Sequence, residues 1–128
     1  MEIRGNTKYK ILSIVPILES YINSIQHKYN VSVSRNVILN QDPTGMNPII
    51  IEILKRQAEA KGYKYSLLGS MEDHDATHMA NITKTGMLFV PSIDGKSHCP
   101  EEKSEIEDIE KVANVLLQAI LDLDIKIS

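Results

Sequence analysis

The spacing of apolar residues between Tyr9 and Tyr29 predicts an amphipathic helix. Apolar side chains recur at steps of three and four residues, which places them on one helical face. They are Ile11, Ile14, Val15, Leu18, Ile22 and Ile25. Asn6 or Thr7 supplies an N-cap side chain, and Asn30 ends the pattern. Pro16 lies inside the pattern, so we expect either a bend or a late start of the helix.

Three further helices are predicted. Asn47 before Pro48 is a favourable helix start, and Gly62 ends the helix after about Ala60. Its inward stripe holds Ile50, Ile53, Leu54 and Gln57. Asp73 is placed to cap a brief helix over 74–82. The last helix covers about 105–123, has acidic residues in its opening turns, and has an inward stripe of Ile106, Ile109, Val112, Val115, Leu116, Ala119, Ile120 and Leu123.

Four short segments are predicted as strands. Residues 31–39 begin with alternating apolar and polar side chains, which is typical of a half-exposed strand. Met87 to Val90 is a continuous apolar run, as in a strand that is covered on both faces. Residues 2–4 and 63–68 are the other two.

The predicted order is β-α-β, a linker over 40–48, and then α-β-α-β-α, which favours the α/β class. We predict two domains, residues 1–40 and residues 45–128. About 40 residues are too few to bury a core alone, and the buried strand of the second domain needs neighbours that this sequence does not supply. We therefore expect the C-terminal part of a larger protein.

Composition narrows the functional classes. The chain has 128 residues and a formal net charge of −3, which argues against non-specific nucleic-acid binding. Its apolar runs are too short to cross a bilayer, and no signal-peptide pattern opens the sequence. Cys99 is the single cysteine, which rules out an internal disulfide and fits a cytoplasmic location.

Two polar clusters contain the candidate chemistry. His98 follows a predicted strand and a tight turn, where a sheet commonly delivers a polar group to a site. The alternative is a surface-loop histidine. His74 and His78 are spaced as a two-histidine metal clamp would be, but Asp75 stands where that motif has glutamate. We favour a hydrogen-bonded helix end there over a zinc site.

Each of the neighbouring polar residues can be interpreted either as functional or as an ordinary surface residue. Cys99 points away from His98 in extended chain, so a nucleophilic pair is not expected. Glu101 or Glu102 either orients His98 or is a solvated charge. Arg4 either grips a carboxylate with two hydrogen bonds or is a strand-end surface residue.

These residues resemble a known family, the M20-type metal-dependent amidohydrolases, in the branch of N-carbamoyl-L-amino-acid hydrolases and allantoate amidohydrolases. That branch has a Gly-Ile-Ser-His-x-Pro-x-Glu loop, which reads here Gly95-Lys96-Ser97-His98-Cys99-Pro100-Glu101-Glu102. Its Ser-Gly-Ala-Gly-His-Asp-Ala resembles Ser70-Met71-Glu72-Asp73-His74-Asp75-Ala76, and its Asp-Ile/Leu-Arg resembles Glu2-Ile3-Arg4.

The resemblance implies an α/β catalytic domain that holds two divalent metal ions, zinc or manganese for example, and an inserted lid domain that mediates dimerisation. Residues 1–40 would be part of the lid and 45–128 the C-terminal part of the catalytic domain. His98 would be a metal ligand, Arg4 would bind the substrate carboxylate, and His74 and Asp75 would line the site.

The resemblance also implies what this chain lacks. The other metal ligands and the general-base glutamate of the family belong to its N-terminal half, so we assign no catalytic residue here and expect no tight metal binding by this chain alone. We expect part of a hydrolase of linear C–N bonds in small molecules, acting with a complementing N-terminal chain or as a homo-oligomer. The alternative is a non-catalytic dimerisation module derived from such an enzyme.

Overall fold

The structure is a computed structural model that describes residues 2–127, with side chains as far as Asp124. Its helices are α1 (Lys8–Tyr29), α2 (Pro48–Ala60), α3 (Asp75–Met79) and α4 (Ile106–Ile127), with a short 3-10 turn at Ile93–Gly95. The chain divides into two compact units. Unit 1 contains Met1–Thr44 and Leu68–Asp73, and unit 2 contains Gly45–Leu67 and His74–Ser128.

The predicted strands are not present, because residues 2–127 contain helices and irregular segments only. This corrects the β-α-β description of the first unit and the two strands of the second. The physical reason is that a strand is stabilised by hydrogen bonds to a neighbouring strand. The described residues pair no two extended segments in that way, so their apolar runs stay irregular.

Helix α1 of unit 1 begins and ends as its local sequence predicts. Thr7 is the N-cap, and its hydroxyl accepts from the Lys10 amide at 3.3 Å, while Asn30 closes the helix in a left-handed conformation. Pro16 lies inside one continuous helix, so the late start is excluded. Ile14 of the predicted stripe is exposed, and the other five members are half-buried.

The segment after α1 is tied back to that helix by polar contacts. Lys8 pairs with Asp42 at 2.8 Å and Arg35 pairs with Glu19 at 2.7 Å. These ion pairs are exposed, and each of them contributes at most about 1 kcal/mol. None of the residues of α1 is buried.

The core lies in unit 2, where α2 packs against α4. Its buried apolar residues are Ile53, Ala58, Val115 and Ala119. Buried Gln57 donates to Asp122 at 2.6 Å, and Arg56 binds the same carboxylate. The predicted stripe of α2 is confirmed, because its four members are buried or half-buried. The stripe of α4 is only partly right, because Ile106, Ile109, Leu116 and Ile120 are exposed.

Three predictions were made for the ends of helices in unit 2, and two of them are confirmed. The Asn47 side chain accepts from the Ile49 amide at 3.0 Å and from the Ile50 amide at 3.4 Å. Gly62 adopts the positive φ of 69° that favours glycine just after a helix. The prediction for the third helix is wrong, because His74 and not Asp73 is the N-cap of α3, and it makes no side-chain capping bond.

Candidate functional site

The loop that carries His98 is shaped by three residues in the left-handed region. Asp94, Gly95 and His98 have φ values of 58°, 66° and 56°. Only glycine adopts this conformation without a steric cost, so Asp94 and His98 are held there by their surroundings. The loop therefore fixes the backbone conformation of His98. His98 is exposed to solvent.

Hydrogen bonds close this loop at both ends. The Ile93 amide donates to the Lys103 carbonyl at 2.8 Å, and the Ser92 hydroxyl donates to the carbonyl of Lys96. Near the exit, Glu102 accepts from the His98 amide at 2.7 Å. This bond fixes the backbone amide of His98, and the expected orientation of the His98 ring by Glu101 or Glu102 stays a prediction.

Lys96 bears on the electrostatics of the same loop. Its ammonium lies 3.7 Å from the Asp94 carboxylate, and both side chains are exposed. The cation is thus partly balanced within the loop, and the balance weakens with added salt.

The second polar cluster lies against the apolar segment that leads into this loop. The rings of His74 and Phe89 meet edge to face, with centroids 5.5 Å apart. His74 is half-buried, whereas Asp75, the first residue of α3, is exposed. Both lie in unit 2 with His98, so the structure brings His74 to the segment before the His98 loop.

His78 is exposed in the last turn of the five-residue helix α3. From Glu2 to the end of the described side chains, no group of three or more His, Cys, Asp or Glu residues is arranged to hold a metal ion. A catalytic metal needs about three converging protein ligands. The described residues do not complete such a site.

Arg4 belongs to unit 1, where it is bound by acidic side chains of the same unit. Its guanidinium donates to both carboxylate oxygens of Glu2, at 2.8 and 3.0 Å, and to Glu72 at 3.0 Å. It also donates to the Met71 carbonyl. The hydrogen bond to Arg4 lowers the pKa of Glu2, and the carboxylates of Glu2 and Glu72 raise the pKa of Arg4.

Sequence reasoning missed this pairing of Arg4 with Glu72. The two residues are 68 positions apart, and nothing in their local patterns links them. It also missed the bond from the His98 amide to Glu102, although a glutamate four residues after a turn was a usable signal. Whether Arg4, His74, Asp75 and His98 act on a substrate or metal stays a prediction.

The chain matches the model of peptidase family M20/M25/M40 over residues 6–122. A relative from Haemophilus influenzae, named an uncharacterized hydrolase, is 31% identical over 95% of this chain and 30% of its own length. Other matched relatives are an N-carbamoyl-L-amino-acid amidohydrolase of Paenarthrobacter aurescens and an allantoate amidohydrolase of Escherichia coli. This chain spans 30% and 26% of their lengths, respectively.

Solved structures agree with this assignment. An amidase of the hydantoinase/carbamoylase family from Burkholderia multivorans superposes with a TM-score of 0.84 at 29% identity, over 92% of this chain and 29% of that one. AtUAH in complex with (S)-hydroxyglycine gives 0.80 at 29% identity, over 91% and 28%. In the part of the chain that the structure describes, no helix is both long and apolar enough to span a membrane. The resemblance to M20-type amidohydrolases is confirmed, and the chain belongs to peptidase family M20/M25/M40.

Proposed function

We propose that this chain is the C-terminal part of a metal-dependent amidohydrolase that cleaves linear amide or ureido C–N bonds in small molecules. The observation that carries the proposal is the match over residues 6–122 to a family whose relatives are named for such reactions. The chain spans about a third or less of those relatives, so hydrolysis also requires the part of the relatives' length that these 128 residues do not cover. The substrate class rests on the relatives' names, which include ureidoglycolate hydrolase from Arabidopsis thaliana.

Within this proposal, His98 supplies one imidazole donor to a divalent metal, zinc or manganese, whose other ligands belong to sequence beyond these 128 residues. Its exposed position on a loop closed by Ser92 and Glu102 supports that role. The metal would polarise the scissile carbonyl and lower the pKa of a bound water. Residues 45–128 then correspond to catalytic-domain sequence and 1–40 to lid sequence, and Cys99 still favours a cytoplasmic protein.

Arg4, His74 and Asp75 are the substrate-contacting residues of this proposal. Arginine suits a carboxylate because its planar N–H groups match both carboxylate oxygens. The AtUAH structure holds (S)-hydroxyglycine, a small molecule with such a group, which supports a carboxylate-bearing ligand. His74 offers a ring held against Phe89, and Asp75 an exposed carboxylate beside it.

A chimaera tests the proposal. This chain would replace the matching C-terminal part of the Burkholderia multivorans amidase, and hydrolysis of N-carbamoyl-L-amino acids and bound metal would be measured. We expect hydrolysis, and we expect His98→Ala to lower both the metal content and the rate, the rate by at least on the order of 100-fold. Cys99→Ala is the matched control, because its side chain neighbours His98 without serving the metal.

Two outcomes would contradict the proposal. One is a folded chimaera with full metal content that hydrolyses no carbamoyl or ureido compound. The other is a chimaera in which His98→Ala changes neither metal content nor rate. Calorimetry of the isolated chain with zinc or manganese adds a simpler measurement, for which we expect no tight stoichiometric binding, since one imidazole is too few donors.

A second candidate function is a non-catalytic dimerisation module. The observation that favours it is the apolar surface of unit 1, which includes Val37, Ile38 and Leu39 at 70%, 98% and 70% exposure. Light scattering after size-exclusion chromatography would detect a dimer, and Ile38→Asp should dissociate it. Ile82→Asp, at an exposed residue of unit 2, is the control. A monomer at every concentration would eliminate this candidate.

A further inference from the structure

The most unusual feature of unit 1 is that its candidate substrate-binding arginine is already bound by carboxylates of the chain. Glu2 takes Nε–H and one Nη2–H, while Glu72 and the Met71 carbonyl take the two hydrogens of Nη1. These four hydrogen bonds use all but one of the five N–H donors of a guanidinium. An incoming carboxylate that binds through two adjacent donors must therefore displace one of these partners.

Glu72 differs from Glu2 in how it reaches Arg4. Glu2 is two residues away on the same segment, so its contact is local. Glu72 belongs to the segment Leu68–Asp73, which the fold brings to the start of the chain. A Cβ at Gly69 would lie 2.9 Å from Asn6 Oδ1, so the two segments also touch at a second point.

The position of Glu72 is a departure from the motif that this chain resembles. Ser-Gly-Ala-Gly-His-Asp-Ala has alanine at the place of Glu72, and a methyl group accepts no hydrogen bond. The acidic residue at the place of Glu2, in contrast, is part of the Asp-Ile/Leu-Arg pattern. Of the two carboxylates on Arg4, Glu72 is therefore the one that departs from the motif that this chain resembles.

We infer that Glu72 is a specificity-determining residue, an internal carboxylate that competes with a substrate carboxylate for Arg4. This inference rests on the proposed role of Arg4 in binding a carboxylate-bearing substrate. It predicts weakened affinity for small anionic substrates such as N-carbamoyl amino acids. The substrate gains the guanidinium only after Glu72 leaves.

Because the Arg4–Glu72 pair is exposed, Glu72 competes with a substrate carboxylate and does not block Arg4 permanently. The Arg4 side chain is 38% exposed and the Glu72 side chain 45%. Water therefore replaces the contact at little cost when Glu72 rotates away, because exposed ion pairs are weak. We expect removal of the Glu72 charge to tighten binding of a carboxylate ligand by about two- to fivefold.

Nuclear magnetic resonance of the arginine Nε–Hε groups in the full chain tests the inference. The chain has three arginines, Arg4, Arg35 and Arg56, so Arg4→Lys assigns the signal and the other two are internal references. The probe is N-carbamoyl-L-alanine, titrated into the wild-type chain and into Glu72→Gln. Asp73→Asn is the matched control, because it removes the same charge from the next residue.

We expect the Arg4 signal of Glu72→Gln to titrate at an about two- to fivefold lower probe concentration than that of the wild type, and Asp73→Asn to behave as the wild type. The inference is overturned by equal affinities of wild type and Glu72→Gln, by an equal gain in Asp73→Asn, or by an Arg4 signal that titrates in neither protein. Hydrolysis by the chimaera is measured separately. A folded chimaera with full metal content and no hydrolysis, together with a titrating Arg4 signal, would refute the proposed function and leave the competition standing.

Discussion

Gly86 packs against α2 so closely that replacement by alanine should destabilise unit 2. A Cβ at this position would lie 2.4 Å from Ile50 Cγ2 and 3.2 Å from Ile50 Cβ, whereas carbon atoms in contact prefer about 3.5–4.0 Å. The neighbour must therefore move by roughly 1 Å. Ile50 is β-branched and lies in a helix, so its χ1 angle offers little freedom to move away.

The magnitude follows from the cost of overpacking, about 1–3 kcal/mol. A glycine-to-alanine change at a compatible φ stabilises a protein by about 0.4–1 kcal/mol, because it reduces the conformational entropy of the unfolded chain. The overpacking cost is larger, so we expect a net decrease in the free energy of unfolding. For a folding unit of this size, each 1 kcal/mol lowers the melting temperature by roughly 4–8 °C. Thermal unfolding followed by circular dichroism at the helical signal measures the effect on α2 and α4.

Gly45→Ala is the matched control, because nothing lies within 4 Å of a Cβ at Gly45. We expect it to leave the melting temperature unchanged or slightly raised. Ile50→Ala removes the clashing Cγ2, so Gly86→Ala should cost less in that background than in the wild type. Equal melting temperatures for Gly86→Ala and Gly45→Ala would refute the reasoning, as would an undiminished cost beside Ile50→Ala.

Three further changes have expected outcomes. Asp122→Ala leaves the buried Gln57 amide without its acceptor and should lower the free energy of unfolding by about 1–3 kcal/mol, measured by urea denaturation; an unchanged value would contradict this account of the α2–α4 contact. Glu102→Ala removes the acceptor of the His98 amide and should speed its hydrogen exchange, with Glu101→Ala as the control that leaves the rate unchanged. Asn47→Ala removes the cap of α2 and should lower stability by about 1 kcal/mol, whereas Asn47→Asp should retain most of it; equal losses in the two variants would argue against a capping role.

The helices could be located from the sequence because their ends depend on neighbouring residues. Thr7, Asn47 and Gly62 each act within a few positions of themselves, so their roles are readable locally. The strands failed for the opposite reason. A strand requires a second strand, and within 2–127 the apolar run Met87 to Val90 has no such partner.

The stripe of α4 illustrates a second limit. Its 3.6-residue period identified the face that holds Val115 and Ala119, which are buried, but Ile106 on the same predicted stripe is 81% exposed. Periodicity reports which residues share a face. It does not report how far the neighbouring element extends along that face, so the buried part of a stripe cannot be found from one sequence.

The candidate site also has a part that could be predicted from local sequence and a part that could not. The His98 loop was identifiable because its motif is contiguous, and the family match is independent of any contact. The binding of Arg4 by Glu72 was not identifiable, because it joins residues 68 positions apart. What surrounds a site side chain is set by chain segments that no local pattern connects.

The segment Leu68–Asp73 has a practical consequence for anyone who divides this protein. It is encoded between the two parts of unit 2 yet belongs to unit 1, so neither unit is a continuous stretch of chain. An expression fragment that starts at Gly45 would carry this segment without Arg4 and Asn6. A fragment trimmed at the apparent linker would thus lose the contacts that hold residues 68–73, and proteases could cleave there. A fragment in which a short glycine-serine bridge replaces 68–73 would avoid this cleavage.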